Sequence, residues 1–136
     1  MIRSKFAIHV HILSLMGKFQ GEWLTSDFIA GSLNSNAALV RKELSELRNA
    51  GLIESKEGKK GGCRLARPMK DILLSDVFAV VKDDHIFGYA PNHPNPLCPV
   101  GRNINNALDT MFTGLDQTIT RELSKISLAD FISKLL

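Results

Sequence analysis

Two kinds of residue in this 136-residue chain are spaced to do chemistry. The first is a pair of polar and basic clusters. Asn36, Ala38, Leu39 and Arg41 stand at the head of one segment, with Lys42 directly behind them. Asn and Arg at the start of an exposed helix can reach base edges in a DNA groove, so these four are the expected base-edge contacts. Lys56, Lys59, Lys60 and Arg64 surround Gly58, Gly61 and Gly62. Cations there, like Lys42, would neutralise phosphates and set register without reading sequence, while glycine removes bulk from a closely approaching backbone. Thr25 and Ser26 could offer hydroxyl and N–H groups to a phosphate at a helix start. The plain alternative for every one of these cations is a solvated basic face.

The second kind is the thiol. Cys63 and Cys98 are the two cysteines, too few for a disulfide scaffold and in keeping with a reducing compartment. Cys98 lies within a segment, 83–101, that holds four prolines, and it precedes a long apolar stripe. With a helix starting near Pro99, its thiolate would be favoured by the helix dipole. That makes Cys98 a candidate sensor thiol, against the alternative of a structural cysteine near an interface. Cys63 is expected to pack in a hairpin. His85 and His93 share the Cys98 loop and could ligate a metal with it, although a solvated or turn-capping role accounts for both. His9 and His11, two apart on a helix, point away from each other and form no metal pair. No phosphate-binding loop of the Walker type, metalloprotease motif or nucleophile–base spacing is present, and the glycines at 58, 61 and 62 precede a strand. An enzyme is not expected.

The elements that must position these residues follow from periodicity. Ile2, Phe6, Val10, Leu13 and Met16 share one face of a helix over 2–16, with Gly17 as its stop. Trp23 is expected to pack between this helix and the next. Thr25 or Ser26 caps a second helix whose apolar side is Phe28, Ile29 and Leu33, and Asp27 suits its first turn. Asn34-Ser35-Asn36 is a turn. A third helix from about Asn36 to Ala50 buries Ala37, Val40, Leu44 and Leu47, and turns Arg41, Lys42, Ser45 and Arg48 elsewhere; Gly51 ends it. Two short helices around a tight turn make a helix-turn-helix candidate. Residues 52–56 and 63–66 read as strands of a β-hairpin closed by Pro68. Ser75 caps a short helix over 75–82, and the prolines make 83–101 irregular. From about Arg102 to Lys125, Ile104, Leu108, Phe112, Leu115, Ile119 and Leu123 form one stripe. A small domain has little area to cover such a stripe, so a second copy is expected to pair with it. Ser127-Leu128-Ala129-Asp130 opens a last helical turn containing Phe131, Ile132 and Leu135.

Charge divides along the chain. Residues 1–70 carry 12 Lys and Arg against 6 Asp and Glu, net +6; residues 71–136 carry 5 against 8, net −3. A nucleic-acid reader with a separate assembly segment shows this asymmetry. The longest apolar runs are far short of the roughly 20 residues of a membrane span, and the start of the chain lacks the apolar block of a signal peptide. A cytoplasmic protein is expected.

The segment Leu44-Ser45-Glu46-Leu47-Arg48-Asn49-Ala50-Gly51-Leu52-Ile53-Glu54-Ser55, with Gly58, Gly61-Gly62-Cys63-Arg64-Leu65-Ala66-Arg67-Pro68 and Ile72-Leu73-Leu74-Ser75-Asp76-Val77, resembles the Rrf2 family of bacterial winged-helix regulators, the group of IscR, NsrR and CymR. The resemblance covers essentially the whole chain and is strongest over residues 25–80. It implies a mostly α fold with a small β-hairpin wing: a winged helix-turn-helix over 1–80, a Pro-rich sensor or connector loop over 81–101, and a dimerisation helix with a C-terminal helical turn over 102–136. It further implies a homodimer binding a palindromic operator in double-stranded DNA, with the third helix in the major groove, the wing along the minor groove, and repression as the usual outcome. Many members hold an iron–sulfur cluster on three cysteines before the long helix. This chain has only Cys98 there, and Cys63 stands where the wing usually has an aromatic residue. It is therefore similar to the single-cysteine branch, and neither a cluster nor another cofactor is expected. Two other readings stay open. One is a repressor controlled by a small-molecule effector bound near the loop and the dimer helix, with Cys98 incidental. The other is a winged-helix module for protein–protein assembly, which would have no need of Lys56, Lys59, Lys60 and Arg64 together.

Overall fold

The computed structural model describes residues 2–82 and 85–136. Met1, Asp83, Asp84 and the side chains of Ile2 and Arg3 lie outside the described residues, and with them the expected place of Ile2 on the first stripe. The elements run α1 (Ile2–Lys18), α2 (Ser26–Leu33), α3 (Ala37–Asn49), β1 (Ile53–Lys56), β2 (Gly62–Leu65), a 3₁₀ turn (Met69–Asp71), α4 (Leu74–Val81), α5 (Pro99–Leu123) and α6 (Leu128–Ser133). The fold is mostly helical, with one two-stranded antiparallel hairpin.

α1 is the central rod. Its His9, Ile12, Leu13 and Met16 are fully enclosed, and they meet Ile29 and Ala30 of α2, Val40, Leu44 and Leu47 of α3, Val77 of α4, and Leu128 and Ile132 of α6 in one core. The helix does not stop at Gly17 but continues to Lys18. A Cβ at Gly17 would lie 2.3 Å from Cδ1 of Ile132, so this glycine lets α6 approach α1 rather than ending the helix.

The reading head is set by local capping. Thr25 caps α2 by accepting the Phe28 N–H at 3.1 Å, and Asn36 caps α3 by accepting the Leu39 N–H at 2.8 Å. Each such cap contributes about 1 kcal/mol. Asn34 takes the left-handed conformation between the two helices, which Asn tolerates better than most residues. Phe28 is not on the apolar side of α2. It is half exposed and meets Phe19 edge-on at 5.5 Å, while Ala30 takes the buried position.

In the hairpin, Ile53 pairs with Leu65, Glu54 with Arg64, Ser55 with Cys63 and Lys56 with Gly62. Leu24 adds a single bridge to Cys63, exchanging N–H···O bonds of 2.9 and 2.8 Å. The wing is thereby fastened to the entrance of α2. Gly62 sits at φ +153°, and a Cβ there would lie 2.5 Å from the Leu24 carbonyl oxygen, so the junction requires glycine.

Toward the C-terminus, α4 begins one residue ahead of Ser75. The capping position is Leu73, whose N–H is bonded by the Asp76 carboxylate at 2.9 Å. α5 begins at Pro99, not Arg102, because proline fits the first helical position, where its missing N–H costs nothing. A bridge between Leu73 and Ser127 returns α6 to the core, and Ser127 and Asp130 form the expected capping box.

Candidate nucleic-acid interface

α3 has two faces of opposite character. Val40, Leu44 and Leu47 are buried, whereas Asn36, Ala38, Arg41, Lys42 and Arg48 are exposed and Leu39 is half-buried. Of the residues expected to read bases, Ala38 and Arg41 stand free of the core. The Asn36 carboxamide oxygen is engaged as the cap of α3, which leaves its amide N–H₂ to face outward.

The hairpin brings the second basic cluster beside α3. Lys56, Lys59 and Lys60 are exposed at and next to its tip. Arg64 is held by its neighbours: its Nε donates to Glu54 at 2.6 Å, and its guanidinium lies 4.0 Å from the centre of the Trp23 ring. Lys56 Nζ approaches the same ring at 5.8 Å. Trp23 thus supports the wing. Ser26, Arg41, Arg48 and Gly62 line one hollow between α2, α3 and the hairpin, of about 260 Å³. Arg48, which sequence reasoning left out of the contact set, donates to Ser55 at 2.9 Å and ties the end of α3 to β1. A basic stretch on the helix, LVRKELSELR, was the available signal for it.

Beneath α3, its orientation against α1 is fixed by a buried polar cluster. His9 Nε2 and Glu43 Oε2 are 2.5 Å apart, with both side chains almost wholly enclosed. Glu46 Oε2 lies 3.5 Å from the same nitrogen, and Lys5 Nζ donates to Glu46 Oε1 at 2.7 Å. The Lys5 bond holds the Glu46 carboxyl below its usual range despite partial burial. The opposition of His9 to His11 holds: His11 instead meets the Ser32 hydroxyl at 2.9 Å. The sequence could not show that α3 supplies partners for His9 34 residues away.

Cys98 caps α5. Its sulfur accepts the Gly101 N–H at 3.5 Å, and this bond, followed by one from Val100, holds the exposed thiol below its ordinary range. Cys63 is buried in the wing, 3.3 Å from the Ser55 hydroxyl. His85 does not join Cys98 and His93. Its Nδ1 lies 2.7 Å from Asp116, whose other oxygen accepts the Ile86 N–H at 3.0 Å. Asp116 holds His85 above the ordinary imidazole value. Burial pushes Asp116 up, but the His85 and Ile86 bonds bring it net below the usual carboxylate range.

The α5 stripe is only partly open. Phe112 is buried under His85, Phe87 and Tyr89, with ring centres 5.6–5.7 Å away, and Tyr89 bonds Asp109. Leu123 packs on the core, and Leu108 and Ile119 are half-buried. Ile104 and Leu115 are exposed. So are Val100 and Met111, which the sequence stripe omitted; from 104 onward the exposed positions recur at 104, 111 and 115. Among the described residues no helix is long and apolar enough to cross a membrane.

Comparison with known proteins bears on this arrangement. The model of a family named Rrf2 and described as iron-dependent transcriptional regulators matches residues 2–134. YwnA of Bacillus subtilis (strain 168), assigned as a candidate HTH-type transcriptional regulator, is 39% identical over 136 residues, 99% of each chain. A crystal structure presented as that of a candidate DNA-binding protein is 34% identical, covering 94% of this chain and 98% of its own, with a TM-score of 0.74. CymR, the global cysteine regulator of B. subtilis, superposes with a TM-score of 0.71 over 98% of this chain and 97% of its own. At 21% identity that match speaks for the fold alone. The iron in the family's description raises the question of a cluster. The thiols do not fit one: Cys63 is enclosed on β2, Cys98 is exposed at the head of α5, and a cluster needs several converging thiolates.

Proposed function

This chain belongs to the Rrf2 family of transcriptional regulators, which are not enzymes, and we propose that it works as a homodimeric, sequence-specific DNA-binding repressor of a palindromic operator. The observation that carries the reading is the polarity of α3: an apolar face locked into the core and an outer face bearing Ala38, Arg41 and Lys42, flanked by the lysines of the wing. In this reading α3 enters the major groove, with Asn36, Ala38, Leu39 and Arg41 at base edges. Lys42, Lys56, Lys59 and Lys60 meet phosphates, as do Thr25 and Ser26 at the head of α2. Arg64 acts less as a free cation than as the strut that sets the wing's angle.

The exposed apolar positions of α5 supply the dimer contact, which the stripe of Ile104, Leu108, Leu115 and Ile119 extends toward the core. Cys98 stands between reading head and dimer helix, and its oxidation would change the group that accepts the Gly101 N–H in the first turn of α5. That supports redox or electrophile control through Cys98. The reading is tested by comparing Arg41→Ala with Lys42→Ala on operator and unrelated DNA. Arg41→Ala should cost about 1–3 kcal/mol and relax specificity, whereas Lys42→Ala should weaken both DNAs alike. Equal effects from both would reduce the site to a basic surface.

A second reading, repression controlled by a small-molecule effector, has one observation in its favour. An apolar cavity of about 480 Å³ opens between α1, α4 and α6, lined by Phe6, Val10, Leu74, Phe131 and Leu135, away from the Pro-rich loop. A metabolite that raises the melting temperature equally in wild type and Cys98→Ser would favour it.

A further inference from the structure

The buried cluster behind α3 has a donor set that salt-bridge duty does not exhaust. We infer that His9, Glu43 and Glu46 form a binding site for one divalent first-row metal ion, which would pin α3 to α1. Imidazole nitrogen and carboxylate oxygen are the ligands that zinc, manganese and ferrous iron share. One ligand atom from each of the three residues falls within 4.8 Å of the other two. Around a four-coordinate ion with bonds of about 2.0–2.2 Å, ligand atoms stand roughly 3.3–3.6 Å apart. The His9–Glu46 separation of 3.5 Å already matches that, and the 2.5 Å His9–Glu43 contact would open by about 1 Å around the ion.

A second observation points to a cation. Glu46 Oε2 is buried, lies 3.5 Å from His9 Nε2 and has no hydrogen-bond partner, while Lys5 donates to the other oxygen. A buried carboxylate oxygen left in this way is costly unless a proton or a metal meets it. Glu43 and Glu46 sit one turn apart on α3 and His9 comes from α1, so an ion held by all three crosslinks the two helices. The chemistry is separate from the thiols and uses no residue of Cys98's loop. The consequence for operator binding rests on the reading of α3 as the recognition helix; the site itself does not.

The test uses the full-length, tag-free protein and Co²⁺ alone, without DNA. The expected result is one Co²⁺ per chain, with visible ligand-field absorption and no thiolate-to-cobalt charge-transfer band. Melting temperature should rise with Co²⁺ concentration. Glu46→Gln, at a half-buried position that preserves shape, should weaken binding at least about tenfold, and Cys98→Ser should leave it unchanged. Glu46→Asp should restore part of it. Absence of stoichiometric binding, binding unaltered by Glu46→Gln, or a thiolate band lost in Cys98→Ser would each overturn the site. None of those outcomes touches DNA recognition, which is measured separately with metal-free protein.

Discussion

The Arg64 guanidinium lies 4.0 Å from the centre of the Trp23 ring and is held there by Glu54. A cation so placed is partly spent inside the protein. Arg64→Ala should therefore cost about 0.5–1 kcal/mol of stability, as an exposed cation–π pair does. It should reduce DNA affinity less than the double change Lys59→Ala, Lys60→Ala. Thermal melts and anisotropy titrations of the two variants check the order. A larger loss for Arg64→Ala would make it a direct phosphate contact.

Two glycines should respond differently to alanine. At Gly62 the added Cβ meets the Leu24 backbone and the backbone conformation disfavours any side chain. Gly62→Ala should destabilise by about 1–3 kcal/mol and loosen the wing. At Gly17 the obstacle is the mobile end of Ile132, and alanine favours the helix by roughly 1 kcal/mol. Gly17→Ala should be close to neutral. Denaturant unfolding of both proteins measures the difference.

The His85–Asp116 pair makes the loop over Phe112 sensitive to pH. His85 is raised above 6.5, so its contribution is complete below that value and is lost as pH climbs through the folded-state value. Asp116 is lowered below 3.8, so its contribution is present above that value and is lost as pH falls through the folded-state value. The pair is thus fully formed between about pH 4 and 6.5. Melting temperature followed from pH 5 to 9 should fall more steeply for wild type than for His85→Gln. Parallel curves would show that the pair contributes nothing.

Thiol reactivity should divide sharply. Cys98 is exposed with its thiol held below the ordinary range, whereas Cys63 is enclosed and bonded to Ser55. Iodoacetamide at neutral pH should label Cys98 at least about tenfold faster than Cys63. Peptide mass spectrometry reads both rates in one sample, and equal rates would remove the case for Cys98 as a sensor.

Much of this arrangement was legible because it is local. Thr25 as a cap, the turn at Asn34, the hairpin around Gly58–Gly62 and the capping box at Ser127 each follow from residues within four positions of one another. The helix starting at Pro99 was legible as the condition for Cys98's role, though the stripe alone suggested Arg102. What escaped depends on distant partners. Gly17 reads as a stop until Ile132, 115 residues on, is seen against it. Phe112 reads as a dimer contact until the irregular loop lays three rings over it, and Met111 is missed because the stripe was drawn through its buried neighbour. Arg64 reads as a free cation until Trp23 is placed beneath it.

The most direct test of DNA recognition is a titration of the purified, reduced protein onto a fragment from upstream of its own gene, by fluorescence anisotropy at several salt concentrations, with a shuffled fragment as control. Preference for its own fragment is predicted, with log affinity falling linearly in log salt as counterions are released. No binding to either fragment at low salt would contradict it, and would make α3 and the wing a protein–protein surface instead.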